Sequence, residues 1–167
     1  MQFSIHREEL MGVYRVGPPE AEPGPLPGAG PYLRLFTGAD QPSTAWGRAA
    51  VQMLFVWRRH FDAWQPGQQI DPEVEEGLSY LGWVIDRETK AMLAEGPFPA
   101  AEAPLHRETY GDLVGLLAWR YLQVGLLQDR KPDVSREIHQ LNQQIEALDT
   151  LVADVEAGRV RLRLPEK

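Results

Sequence analysis

A seven-residue repeat of apolar residues in the last third of the chain is the feature that most limits how this sequence can fold. Steps of four and three residues alternate through Val134, Ile138, Leu141, Ile145, Leu148, Val152 and Val155. This spacing places the seven residues on one face of an α-helix, which we predict over residues 133–157. Such a face is buried in a stable protein, so the helix needs a partner surface within its own chain or on another chain.

The residues that flank the repeat do not favour a parallel homodimer. With Ile138 at position a of the heptad, the e and g positions pair Glu137 with Asn142, Gln144 with Asp149, and Leu151 with Glu156. None of these pairs joins opposite charges, and Leu151 widens the stripe to the shape of a helix in a bundle. We therefore expect the helix to pack within its own chain, with self-association or docking on another protein as the alternatives.

Beyond Gly158, which we expect to end this helix, the apolar period changes from seven residues to two. Arginines at 159, 161 and 163 alternate with apolar residues at 160, 162 and 164, which predicts a β-strand with one charged face. Three interpretations stay open. The strand could close a sheet with the N-terminal strands predicted at 3–5 and 13–16. It could instead add to the sheet of a partner protein, or bind phosphate or an acidic surface.

The candidate partner-binding residues come from these two C-terminal elements. Six lie on the heptad helix and three on the strand: Ile138, Leu141, Ile145, Leu148, Leu151, Val152, Arg159, Arg161 and Arg163.

The rest of the chain predicts three more helices near residues 43–64, 72–95 and 106–128. The first is apolar nearly all round and is expected to be the central one. Small residues at 77, 79 and 82 and glycines at 111, 115 and 125 favour close helix contacts. Residues 32–36 alternate weakly and predict a short strand. The predicted fold is mainly α, a four-helix bundle-like body with a small β element from the N- and C-terminal segments.

We expect a single domain over residues 1–167. An N-terminal arm (1–42) contains a Pro/Gly-rich connector at 17–31, residues 43–128 form the helical body, and 133–167 form the heptad helix and strand. The chain has no cysteine, which excludes disulfides and Cys-type zinc sites. Its formal charge of −7 argues against general nucleic-acid binding. The longest apolar stretch, 49–57, is too short for a membrane span, so we expect an intracellular (cytoplasmic) or virion location.

Common catalytic and cofactor motifs are absent from the sequence. There is no phosphate-binding glycine motif and no G-x-S-x-G elbow. His106 and Glu108 form an H-x-E unit, but the cysteines of a zinc deaminase are missing. No Glu-x-x-His pair suggests a bundle metal site, and we expect the acids at 75, 76, 86 and 88 to form a solvated face. The sequence therefore predicts no cofactor and no metal.

The function that the sequence favours is a non-catalytic protein–protein interaction or structural and assembly role, as a subunit or adaptor of a larger complex, cellular or viral. Its partner would be another protein or a second copy of the chain, with no nucleic acid and no membrane. One alternative is a small acidic regulator that docks on a basic protein surface. The other is an enzyme whose site in the bundle gathers several of His60, Asp62, Asp86, Glu88, His106 and Glu108.

Overall fold

The computed structural model describes residues 26–63, 69–94 and 102–166, and the side chains of 62 and 63 are not described. These residues form α1 (Ala29–Phe36), α2 (Ala45–Ala63), α3 (Pro72–Ala94), α4 (Tyr110–Leu127) and α5 (Ser135–Glu156). The described part is mainly helical, as predicted, and α2 to α5 correspond to the four predicted helices. No helix in these ranges is long and apolar enough to cross a membrane.

Helix α4 lies at the centre and contacts each of the other four helices. Its buried apolar side chains cover about half of its circumference: Leu113, Val114, Leu117, Ala118, Tyr121, Leu122 and Val124. The prediction that the first long helix would be central is wrong. Helix α2 exposes Arg48, Gln52, Phe55 and Arg59, which recur at helical spacing and form one solvent-facing side.

Helix α1 replaces the strand that residues 32–36 were predicted to form. Its buried residues Ala29, Tyr32, Leu33 and Phe36 follow the helical spacing i, i+3, i+4, i+7. The N–H of Ala29 donates to Asp149 Oδ1 of α5 at 2.8 Å, so another helix supplies the cap that Gly28 cannot. The end of the predicted connector is therefore part of the fold, whereas residues 17–25 lie outside the described residues.

Helices α3 and α4 cross with their backbones in contact. A methyl group on Gly111 would overlap the carbonyl oxygen of Gly82 and lie 2.9 Å from its Cα. The predicted close approach at Gly82 and Gly111 is confirmed. This contact brings the start of α4 against the middle of α3, and it sets the position of the loop that precedes α4.

The described residues contain no β-strand. The strand predicted at 159–164 is reduced to one parallel bridge between Leu105 and Arg161, because the loop at 104–106 pairs with only this residue. The N-terminal strands predicted at 3–5 and 13–16 lie outside the described residues. Helix α4 begins at Tyr110, where Thr109 Oγ1 accepts from the N–H of Asp112 at 3.0 Å. His106 was predicted in the opening turn of this helix, but it lies in the preceding loop, because Thr109 provides the cap.

Candidate protein-interaction surface

The heptad stripe packs inside its own chain. Five of its six candidate contact residues are buried in the common core and the sixth is partly buried against it: Leu141, Ile145, Leu148, Leu151 and Val152, with Ile138 at the edge. Helix α5 contacts α4 and α1. In this fold the stripe stabilises the monomer and presents no apolar face to solvent, as expected for a bundle helix.

The end of α5 fixes the direction in which the chain leaves the bundle. Gly158 has φ 73°, the left-handed conformation that glycine adopts at low cost. Its N–H donates to Val155 O at 3.1 Å and the N–H of Arg159 donates to Asp154 O at 2.8 Å, which is the Schellman pattern. The Arg159 side chain also pairs with Asp154, at 2.7 Å. The predicted stop at Gly158 is confirmed.

From Val160 the chain runs beside the loop that precedes α4 and is extended at the bridge residue Arg161. Exposure alternates along residues 159–164: Leu162 is buried, residues 160 and 164 are half-buried, and the three arginines are exposed. The N–H of Arg161 donates to Pro104 O at 2.9 Å, and the N–H of His106 donates to Arg161 O at 2.8 Å. We call residues 104–106 and 160–164 together the C-terminal ladder.

One edge of the C-terminal ladder has no hydrogen-bonding partner among the described residues. Arg161 directs both of its backbone hydrogen-bonding groups toward residues 104–106. In an extended chain the neighbouring residues direct theirs the opposite way. The N–H and C=O groups of Val160 and Leu162 make no hydrogen bond within the part of the chain that the structure describes. Leu162 itself is only 6% exposed, so its backbone groups are largely shielded from solvent.

Two of the three arginines are held in place by backbone carbonyls. Arg161 Nε donates to Ala103 O at 2.6 Å and Arg163 Nε donates to His106 O at 2.9 Å. Neither guanidinium forms an ion pair within the described ranges, whereas Arg159 is neutralised by Asp154. Since the Nε–H groups are engaged, the terminal nitrogens of Arg161 and Arg163 remain to bind an external anion.

The tip of the ladder also carries an exposed apolar side chain and an anchor. Leu105 is 49% exposed and, as the bridge partner of Arg161, lies on the arginine face. Lys90 of α3 donates to the carbonyls of Pro165 and Glu166 at 2.9 and 3.2 Å. The extended segment is thus tied to the body at both of its ends.

A second polar cluster lies where α1, α3 and α4 meet, and the sequence did not predict it. Asp86, expected on a solvated face, is buried, and its Oδ1 accepts from the N–H of Gly111 at 2.7 Å. Burial raises the pKa of Asp86 to about 6, although hydrogen bonds from Gly111 and Thr109 oppose the rise. The close crossing at Gly82 causes this burial, because it presses α4 onto the carboxyl group.

Two tyrosines complete this buried cluster. Tyr110 OH donates to Pro27 O, so the hydroxyl of Tyr32 donates to Tyr110, at 2.9 Å. Burial raises the pKa of both tyrosines above its ordinary value. The cluster therefore ties the chain ahead of α1 to the start of α4, and we assign it a structural role.

Among the described residues of the alternative catalytic site, His60 and His106 lie in separate surroundings. His60 is buried against Trp57 and Trp119, with ring centroids 5.8 and 5.7 Å away. His106 contacts the backbone of Glu108 in the loop before α4, with Nδ1 2.9 Å from the carbonyl oxygen. The side chain of Asp62 is not described. Among the described residues, no three His, Asp or Glu side chains group as metal ligands would.

A shallow pocket of about 310 Å³ lies between α1 and the start of α2. Two of its polar side chains are already engaged. Asp40 accepts two hydrogen bonds from Arg34, at 2.8 and 2.9 Å, and Thr44 Oγ1 accepts from the N–H of Gly47 at 3.0 Å. These bonds brace the loop between the two helices, so we assign the pocket no ligand.

Comparison of the chain with family models, with curated proteins and with solved structures finds no match.

Proposed function

We propose that the protein is a non-catalytic interaction or structural protein, a subunit or adaptor of a larger protein assembly. Its contact surface is the C-terminal ladder. The observation that carries the proposal is the backbone of Val160 and Leu162, which makes no hydrogen bond within the described ranges and lies beside two arginines that have no acidic partner there. Exposed strand edges in native proteins are normally covered or blunted, so one that is left open is a place for another chain.

The remainder of the fold is suited to hold this edge rigidly. The heptad stripe is buried in the core, so α5 acts as a fixed support rather than as a second docking surface. Leu162 belongs to the same core, which prevents the extended segment from moving independently of the bundle. A preorganised edge loses little conformational entropy when a partner binds.

The predicted β element from both chain ends belongs to this proposal. The strands predicted at 3–5 and 13–16 are the alternative occupants of this edge. If they occupy it, the amides of Val160 and Leu162 are protected from hydrogen exchange in the full-length protein and lose that protection when residues 1–16 are deleted. Fast exchange of these amides in the full-length protein would leave the edge to a partner.

The size of the protein in native extract tests the proposal. The purified chain is expected to elute at its monomer mass of 18.9 kDa, because the heptad stripe of α5 is buried within its own chain. In native extract, detected by immunoblot after gel filtration, it is expected to elute in a larger complex. If the chain also elutes as a monomer in extract, and crosslinking before lysis captures no partner, the proposal is wrong.

A further inference from the structure

We infer that the outer face of α3 binds the same face of a second copy of the chain, with the two helices antiparallel across a two-fold axis. This contact goes beyond the proposed function, because it lies on α3, outside the C-terminal ladder, and needs no other protein. It depends on a second stripe with heptad spacing, which faces solvent. We call its six exposed residues the outer stripe of α3: Glu73, Glu76, Tyr80, Trp83, Arg87 and Lys90.

The outer stripe lies opposite the buried side of α3. Steps of three and four residues alternate along it from Glu73 to Lys90, so its side chains follow one line down the helix. The buried residues Leu81, Ile85 and Thr89 occupy the other side of the same turns. The stripe therefore makes no contribution to the core and is available as a surface.

An aromatic pair forms the centre of the outer stripe. Tyr80 is 62% exposed and Trp83 is 39% exposed, and their rings are stacked with centroids 6.2 Å apart. The guanidinium group of Arg87 lies over the Trp83 ring, 5.4 Å from its centroid. Tryptophan, tyrosine and arginine are the residues that contribute most to binding at protein interfaces. Since stacking already orders the three side chains, little conformational entropy is lost when a partner covers them.

The two ends of the outer stripe carry opposite charges. Glu73 and Glu76 precede the aromatic pair, and Arg87 and Lys90 follow it. None of these four side chains forms an ion pair within the described ranges, and Lys90 donates to two backbone carbonyls instead. The helix dipole favours acidic residues in the first turn, but it does not account for an exposed aromatic pair between the two charged ends.

Antiparallel pairing of two outer stripes places complementary residues opposite each other. The midpoint of the stripe lies between Tyr80 and Trp83, and a two-fold axis at this point makes the contact isologous. Residues equally far from the midpoint then face each other across the two copies, as in the layers of an antiparallel helix pair. The three facing pairs, each formed twice, are Tyr80 with Trp83, Glu76 with Arg87, and Glu73 with Lys90.

Charge disfavours the parallel arrangement. In a parallel pair each residue of the stripe would meet its own counterpart, so Glu76 would face Glu76 and Arg87 would face Arg87. Like charges at such a distance destabilise a contact. A different protein would need the same order of basic, aromatic and acidic residues, which a second copy of this chain already has.

The size of the outer stripe makes the dimer weak. The stripe covers roughly 25 Å of a single helix, and one such helix pair buries less than the roughly 1,200 Å² of a stable interface. We expect a dissociation constant of about 0.1–1 mM. The chain therefore stays monomeric at the micromolar concentrations of gel filtration and pairs where an assembly concentrates it.

Zero-length crosslinking of the full-length protein tests the register. A carbodiimide joins a lysine amine directly to a carboxylate that it contacts. Glu73 and Lys90 are roughly 25 Å apart along one helix, so an amide between them joins two copies. It is expected in tryptic peptides from protein at about 1 mM and not at about 0.01 mM. Lys131 and Glu137, which are 2.6 Å apart within one chain, are expected to crosslink at both concentrations and control for the reagent.

Charge variants of Glu76 and Arg87 test the pairing itself, with dissociation constants measured from translational diffusion by NMR. E76R places like charges opposite each other twice in a dimer, and so does R87E, so each is expected to weaken dimerisation at least about tenfold. A mixture of the two variants restores opposite charges and is expected to dimerise about as tightly as the original protein. E75R makes the same change at an exposed residue outside the stripe and is expected to leave dimerisation unchanged. Urea unfolding of each variant checks that the fold is retained.

The inference is overturned if the crosslink between Glu73 and Lys90 is absent at the higher concentration while the control crosslink forms. It is also overturned if E76R dimerises as tightly as E75R, or if the mixture of E76R and R87E dimerises no more tightly than either variant alone. These results are distinct from failure of the proposed function. A chain that is found in a larger complex in extract but fails these tests would keep the function and refute the inference.

Discussion

Replacing Gly111 with alanine is expected to force α3 and α4 apart, whereas the same change at Gly82, on the other side of the same contact, is not. A Cβ on Gly111 would overlap Gly82 O and lie 2.9 Å from Gly82 Cα, and these backbone atoms cannot rotate away. Carbon atoms pack at about 3.5–4.0 Å, so the helices must separate by roughly 1 Å. A Cβ on Gly82 would be 3.7 Å from its nearest neighbour, which is ordinary contact.

The magnitude follows from what the separation breaks. The bond from the N–H of Gly111 to Asp86 is 2.7 Å long, and lengthening it by about 1 Å removes it as a hydrogen bond. Losing a hydrogen bond to a charged group costs about 1.5–3 kcal/mol, and overpacking adds about 1–3 kcal/mol. The higher helix propensity of alanine offsets this loss of stability by up to about 1 kcal/mol. We expect G111A to lower the free energy of unfolding by about 2–4 kcal/mol and G82A to raise it by up to about 1 kcal/mol.

Urea unfolding followed by far-UV circular dichroism measures both variants. The pair forms its own control, because the two substitutions add the same methyl group to the two sides of one contact. If G111A is as stable as the original protein, or if the two variants change stability equally, the backbone contact between α3 and α4 is not as described.

Three further substitutions test the core and the buried cluster. D86N removes a carboxyl group whose pKa is raised to about 6 in the folded protein. Because the folded protein holds the proton more tightly than the unfolded chain, Asp86 stabilises the fold fully below about pH 3.9, and this stabilisation is lost as the pH rises through about 6. The loss is at most about 3 kcal/mol. Urea unfolding at several pH values should therefore show a fall in stability over this range that D86N lacks, and an identical pH slope in D86N would refute the assignment. D149A removes the acceptor for the Ala29 N–H and should cost about 1 kcal/mol in thermal unfolding, while D149N costs less; equal losses would contradict the cap. L148A should lower the free energy of unfolding by about 2–5 kcal/mol. Because Leu148 is buried within one chain, the mass of the variant in solution should not change with protein concentration in the micromolar range. Dissociation of an oligomer would contradict this packing.

The long helices were predictable because their signals are local. Asp71 and Pro72 predict the start of α3, where Asp71 Oδ1 accepts a hydrogen bond from the N–H of Glu73 at 2.8 Å. Gly158 predicts the end of α5, and the heptad spacing predicts the buried face of that helix. Each of these features depends on residues within one or two turns of the same helix, so one sequence is enough to find them.

Features that depend on distant residues were not predictable in this way. Helix α1 is capped by Asp149, which lies far along the chain. The burial of Asp86 depends on the contact between Gly82 and Gly111. The alternation of the C-terminal segment predicted a β-strand with its arginines outward; the arginines are exposed, but only Arg161 forms a bridge. Its neighbour, the loop at 104–106, has no periodic pattern that would identify it.

Amide hydrogen exchange along the C-terminal segment, measured by NMR, tests the open edge most directly. The N–H of Arg161 is bonded to Pro104 O and is expected to exchange slowly. The N–H groups of Val160 and Leu162 are expected to exchange fast in the free protein and to become protected in the complex with its partner. If the amides of 160–162 are equally protected in the free protein, the edge is already covered, and the C-terminal ladder is not the contact surface.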